Sequence, residues 1–176
     1  MSRFLITYLK KTCITMMLCL LAQASFANDL VVGQPAPPIG LHTLDGKQID
    51  LRDLHGKVVI LTFWATWCGP CREELPLLSR YASEHAKQGL VVLGFSLDGP
   101  EDLDQVRKVA GSLDFPVGLL GDPHVPGYGR IWHLPVNFTI DRDGKLIDNG
   151  WKDKPPEWTR ERLDRIVTPL LSDAAR

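Results

Sequence analysis

The alternation of apolar and polar positions separates a short leader from one longer body. Residues 58–64, VVILTFW, are apolar and β-branched almost throughout, the pattern of a strand buried on both faces. A second such run spans residues 90–97. Between them the sequence predicts a helix from Cys68 to Lys87, with Gly89 just past its end. Pro76 lies inside that helix and should kink it. A helix is expected over 101–110 and a short strand over 115–119. Segments 39–43 and 48–51 flank Asp45-Gly46, and segments 136–140 and 145–151 flank Asp141-Arg142-Asp143-Gly144, two hairpin signals. Near the end, Leu163, Ile166, Val167, Leu170 and Leu171 recur at i, i+3, i+4, i+7 and i+8, one apolar stripe for a last helix lying on the sheet. Strand, helix, strand, helix, hairpin and helix in that order predict an α/β domain with a central mixed β-sheet. Repeats, low-complexity tracts and long linkers are absent, and Lys152-Asp153-Lys154-Pro155-Pro156 reads as a solvated loop.

The leader has the character of an export signal. Arg3, Lys10 and Lys11 precede an apolar run from Cys13 to Ala22, followed by small residues in two cleavage-like patterns, Ala22-Gln23-Ala24 and Ser25-Phe26-Ala27. Residues 1–27 are therefore expected to be a signal peptide, either cleaved or kept as an anchor. The 16 residues from Thr12 to Ala27 are short for a membrane span of roughly 20 residues. The body, residues 28–176, is expected in the periplasm, where disulfides persist, with membrane attachment only if the leader is retained.

Composition narrows the function classes. The 176 residues are 44% hydrophobic and 23% charged with a net charge of −1, which excludes disorder. Beyond residue 27 there are 17 basic against 21 acidic side chains and no basic cluster, so no nucleic-acid partner is expected. Of four cysteines, Cys13 and Cys19 lie in the leader and only Cys68 and Cys71 in the body.

The candidate chemistry is Trp64-Ala65-Thr66-Trp67-Cys68-Gly69-Pro70-Cys71. Two cysteines three apart, where a buried strand meets a helix, can close a small disulfide ring and reopen it. Cys68 falls at the helix N-terminus, where unpaired N–H groups and the helix dipole favour a thiolate. Pro70 is harmless in a first turn, where its missing N–H would have had no partner. Cys71, one turn along, suits the attack on a mixed disulfide formed by Cys68. Cys68 is the expected nucleophile and Cys71 the resolving thiol. A structural zinc site is disfavoured, because the body offers no second Cys or His pair at ligand spacing.

The segment Phe63 to Cys71, FWATWCGPC, is similar to the thioredoxin active site, and the body from about Val32 to Leu171 resembles the TlpA-like branch of exported thiol-disulfide oxidoreductases. The opening GQPAP, the first hairpin and the late LPVNFTIDRDGKL segment carry the rest of the likeness. It implies a thioredoxin-like fold with an N-terminal β-hairpin extension, and a monomeric protein-disulfide reductase without cofactor or metal. It also implies two protein partners: clients bearing disulfides, and a membrane electron donor that re-reduces Cys68 and Cys71. Pro135 would be a cis-proline facing the cysteines, leaving Leu134 free to pair with an extended client strand. Where thioredoxins carry a buried Asp in the strand before the motif, this chain has Thr62. Glu74 instead matches the acidic residue that TlpA-like proteins place near their thiols, the other reading being a solvent-facing first-turn glutamate. Glu73 reads as surface decoration. Relatives serving cytochrome c maturation carry Pro-Glu-Thr where this chain has Pro135-Val136-Asn137, which weakens that particular assignment.

Two alternatives remain at this level. A copper-binding metallochaperone would use Cys68, Cys71 and His133, a set suited to copper, although such chaperones separate their cysteines by three residues and lack a proline at the place of Pro135. A thiol peroxidase would carry a lone reactive cysteine flanked by Pro and Thr. His42, His55, His85 and His124 have no partner at catalytic spacing, and Tyr128, Trp132, Trp151 and Trp158 read as core or rim aromatics.

Overall fold

The structure is a computed structural model and describes residues 30–152 and 154–172. The leader, including Cys13 and Cys19, lies outside the described residues. Strands β1 (Gly40–His42) and β2 (Gln48–Asp50) form the expected N-terminal hairpin. They are followed by β3 (Val58–Trp64), α1 (Gly69–His85), β4 (Leu90–Ser96), α2 (Leu103–Ala110) and β5 (Val117–Leu119). After a two-residue pairing of β6 (His124–Val125) with β7 (Gly129–Arg130) come β8 (Val136–Ile140), β9 (Leu146–Asn149), α3 (Arg160–Ile166) and α4 (Thr168–Ser172).

The central sheet has five strands in the order β5-β4-β3-β8-β9, with β3 parallel to β4 and antiparallel to β8. Every residue of β3 is buried, because the strand lies in the middle of the sheet with both faces covered. Its two faces enter different cores. Val58, Ile60 and Trp64 pack with Leu75, Leu78 and Tyr81 of α1, Val106 of α2, and Leu163, Val167 and Leu171 near the C-terminus. Val59, Leu61 and Phe63 pack with Phe95, Phe138 and Tyr128, and this second core is closed by Ile39 and Leu41 of the first hairpin. The α-helices thus share one core, and the hairpin extension covers the other. Gly118 allows the hairpin to approach, since a Cβ there would meet the His42 carbonyl oxygen at 1.9 Å.

Several elements differ from the sequence expectation. The last helix breaks at Val167, because Pro169 has no N–H to bond the carbonyl of Arg165 and its ring crowds that carbonyl. Its stripe still points inward, with Leu163, Val167 and Leu171 buried. The helix expected from Glu101 opens as a 3-10 turn over Pro100–Asp102. The short strand starts at Val117, and the strand expected through Trp151 ends at Asn149, giving way to a 3-10 turn over Gly150–Lys152. α1 continues through Pro76, whose side chain faces solvent, and passes into a 3-10 turn over Ala86–Gln88 that is closed by Gly89 at φ 88° in the left-handed region.

Candidate active site

Cys68 is the N-cap of α1. Its backbone is extended, its sulfur accepts the Cys71 N–H at 3.2 Å, and Pro70 occupies the first turn. A cap of this kind satisfies one of the helix's unpaired donors and brings Cys71 round by one turn. The two sulfurs are bonded, with the Cα atoms 5.3 Å apart. Cys68 retains 6% exposure and Cys71 none, so Cys68 is the sulfur nearer solvent.

The loop carrying Cys68 is tied to the neighbouring strand by a buried carboxylate. Asp98 accepts the Thr66 N–H at 2.9 Å, the Thr66 hydroxyl at 2.6 Å and the Ser96 hydroxyl at 2.6 Å. Sequence reasoning missed this anchor, since Asp98 follows a strand end and sits 32 residues from Thr66.

Pro135 faces the same end of the sheet. Phe63 pairs with Val136, so the residues leaving β3 and those entering β8 lie side by side. The Leu134–Pro135 peptide is cis, as the resemblance implies. Leu134 packs both on the core containing Cys68 and Cys71 and on the core containing Phe138.

Glu74 is buried, with 3% exposure, so its solvent-facing reading does not hold; Glu73 is exposed. Glu74 reaches the helix-side face of the sheet, where three donors make four hydrogen bonds to its carboxylate. The Trp158 N–H donates at 2.8 Å, Asn137 Nδ2 at 3.3 and 3.4 Å to the two oxygens, and the Thr62 hydroxyl at 3.5 Å. Burial pushes its pKa up to about 7, against the pull of Trp158, Asn137 and Arg162, and Glu157 adds to the rise. Thr62 is thus a donor where the resemblance places an acid, and the carboxylate comes from the helix instead.

Asn137 and Trp158 are the partners the sequence did not reveal. The loop read as solvated is only partly so: Lys152, Lys154 and Pro155 are exposed, while the Pro156 carbonyl accepts from Asn137 at 3.3 Å and from Arg162 at 2.9 Å. Arg162 bonds Asp148 at 2.6 Å and lies over the Trp158 ring at 4.3 Å, fixing the segment that presents the Trp158 N–H. His133 is placed edge-on to the rings of Trp132 and Trp151. Among the described residues, no group of three or more His, Cys, Asp or Glu is gathered to hold a metal.

A central mixed sheet, with a Cys-Gly-Pro-Cys disulfide capping the helix that leaves its middle strand, defines a thioredoxin-like thiol-disulfide oxidoreductase. The chain belongs to the AhpC/TSA family, whose pattern it matches over residues 32–148. It is 34% identical to the thiol-disulfide oxidoreductase ResA of Bacillus anthracis over 151 residues, 84% of this chain and 86% of that one. The ResA of a Bacillus cereus strain is 32% identical over 149 residues, with the same coverage of both chains. Among solved structures, a thiol:disulfide interchange protein of the thioredoxin family from Chlorobium tepidum superposes with a TM-score of 0.63 at 28% identity, over 78% of this chain and 96% of that one. The thioredoxin domain of a thiol-disulfide oxidoreductase from Bacteroides vulgatus gives 0.66 at 26% identity, over 81% and 99%. The TlpA-like resemblance and the thioredoxin-like fold read from the sequence agree with these relatives. The activity they share is the exchange of thiols and disulfides, here through a redox-active Cys68–Cys71 pair.

Proposed function

We propose that this protein reduces disulfides of exported client proteins, with Cys68 as nucleophile and Cys71 as resolving thiol. The Cys68 thiolate attacks a client disulfide, forming a Cys68–client disulfide and releasing one client thiolate, which takes a proton. Cys71, deprotonated, then attacks the Cys68 sulfur. The Cys68–Cys71 disulfide forms and the second client thiolate leaves, so two electrons pass from the pair to the client. A membrane-bound dithiol donor restores the reduced pair. The observation that carries the division of labour is the placement of Cys68 at the helix cap with residual exposure while Cys71 is sealed.

Glu74, three residues after Cys71, shares its helix face and acts as acceptor of the Cys71 proton. A carboxyl that titrates near 7 can take and return that proton at neutral pH. Pro135 shapes the floor on which the client disulfide approaches Cys68. Export to the periplasm is supported by Arg3, Lys10, Lys11 and the apolar run after them. Among the described residues no helix is long and apolar enough to cross a membrane.

Cys71→Ser, expressed with its leader, tests the scheme. Mixed disulfides between Cys68 and periplasmic proteins should accumulate and dissolve on addition of dithiothreitol, and Cys68→Ser should form none. Full insulin-disulfide reduction by Cys68→Ser would overturn the roles given to the two sulfurs.

A further inference from the structure

Large apolar side chains standing in solvent among the described residues are Val31, Val32, Trp67 and Trp132. Trp67, 69% exposed, immediately precedes Cys68. Trp132, 74% exposed, is the more instructive, because its ring is held in place rather than swinging free. It lies parallel to Trp151 at 6.3 Å between centroids and 8° between planes, and His133 meets it edge-on at 4.4 Å. Trp151 is fixed in turn, through its Nε1–H donating to the Tyr128 carbonyl at 2.8 Å and its ring against buried Phe138 at 6.0 Å. An indole anchored through a second indole to the core, yet left open to water, is a preformed contact surface: it offers apolar area at small further loss of side-chain freedom.

Its position relative to the cysteines follows from the chain. Leu134 touches the core that contains Cys68 and Cys71, and Trp132 is two residues away, which limits their Cα separation to about 7 Å. Val136, four residues after Trp132, pairs with Phe63 at the end of β3 that leads into Cys68, so the shelf lies at the end of the sheet where a disulfide must sit to reach the Cys68 sulfur. A client delivers its disulfide on a polypeptide, and the residues flanking that cysteine extend over this end of the sheet.

We propose that Trp132, backed by Trp151 and His133, is a specificity-determining contact that binds an apolar or aromatic side chain flanking the cysteine of a client polypeptide. The inference rests on the proposed reduction of client disulfides at Cys68. It gives the protein a preference among clients that the cysteine pair alone does not supply, since a disulfide bond looks the same in every chain. Anchors of this type, a tryptophan at the centre of a small patch, carry a disproportionate share of binding energy at interfaces.

The test compares two synthetic peptides, each closed by one disulfide, one with Phe beside the reacting cysteine and one with Gly there. The reduced full chain should reduce the Phe peptide with about tenfold higher kcat/KM, the difference lying in KM, equivalent to about 1.4 kcal/mol. Trp132→Ala should abolish that preference, and Trp132→Phe should keep most of it. A preference that persists in Trp132→Ala, or its absence in the unmodified protein, overturns the inference. An equal loss on both peptides also overturns it, because the effect would then lie in the thiols. Failure of the unmodified protein to reduce either peptide would instead count against the reductase reading itself.

Discussion

Asn137 of β8 holds Glu74 of α1 on the helix-side face of the sheet. Its Nδ2 group donates to both carboxylate oxygens, at 3.3 and 3.4 Å, and also to the Pro156 carbonyl at 3.3 Å. One side chain, two residues after Pro135, therefore ties the carboxylate on α1 to the loop that supplies the Trp158 N–H. Replacing Asn137 by Leu removes donors that favour the ionised form and should raise the Glu74 pKa further above about 7. Infrared titration of the protonated carboxyl stretch measures this directly. An unmoved midpoint would mean that the Trp158 N–H, at 2.8 Å, sets the Glu74 titration without the amide.

Glu74 also makes stability depend on pH. Folded, it keeps its proton to about pH 7, against an ordinary value of 4.5 when the chain is unfolded. Between those values the folded state binds the extra proton, so stability is full below about 4.5 and falls as pH rises through 7. The drop should be on the order of 3 kcal/mol, since each unit of difference is worth about 1.4 kcal/mol. Denaturant unfolding of the oxidised protein from pH 4 to 8 should show that fall, and Glu74→Gln should flatten it. A slope unchanged in the variant would assign the effect to other groups.

The thiols should feel the same charge. A carboxylate one turn from Cys71 disfavours a second negative charge on the neighbouring sulfurs, so Glu74→Gln should lower the apparent Cys68 pKa in the reduced protein. The pH dependence of alkylation by iodoacetamide reports it. In the Glu74→Gln background, adding Asn137→Leu should cause no further shift, because the amide would act on the sulfurs only through the carboxylate. A shift of equal size in both backgrounds would separate Asn137 from Glu74.

What the sequence disclosed and what it withheld divide along physical lines. The β3 run is legible because a strand buried on both faces must be apolar throughout, and its boundaries, Val58 and Trp64, coincide with the observed ones. The cap at Cys68 is legible because Cys-Gly-Pro-Cys places its own helix start. Burial of Glu74 could not be read from its neighbours, since the first turn of a helix also suits a solvated acid. Its shortest bond comes from a backbone N–H 84 residues away, a donor every residue but proline carries. Asn137 gave a weak signal: a polar residue inside an apolar strand, VNFTI, which calls for a buried partner. The break at Val167 was readable in Pro169, but the unbroken apolar stripe masked it. The pairing of β6 with β7, two residues each, is too short to carry any periodicity.

Asp98 provides the last prediction, because it connects loop anchoring to reactivity. Its carboxylate collects the Thr66 N–H and two hydroxyls, from Thr66 and Ser96, and Thr66 is two residues before Cys68. Asp98→Ala would leave these donors to find other partners in a site that is buried at Ser96 and half-buried at Thr66. The expected cost is about 3 kcal/mol of stability. The loop that positions the helix cap would loosen with it, so the Cys68 sulfur should become more accessible. Alkylation of reduced Cys68 should accelerate several-fold in Asp98→Ala at a pH where the thiolate fractions of the two proteins are matched. Thr66→Ala, which removes one hydroxyl and keeps the N–H bond at 2.9 Å, should give a smaller change in both quantities. Lower stability with unchanged alkylation would show that Asp98 supports the fold at the end of β4 without positioning the cysteine.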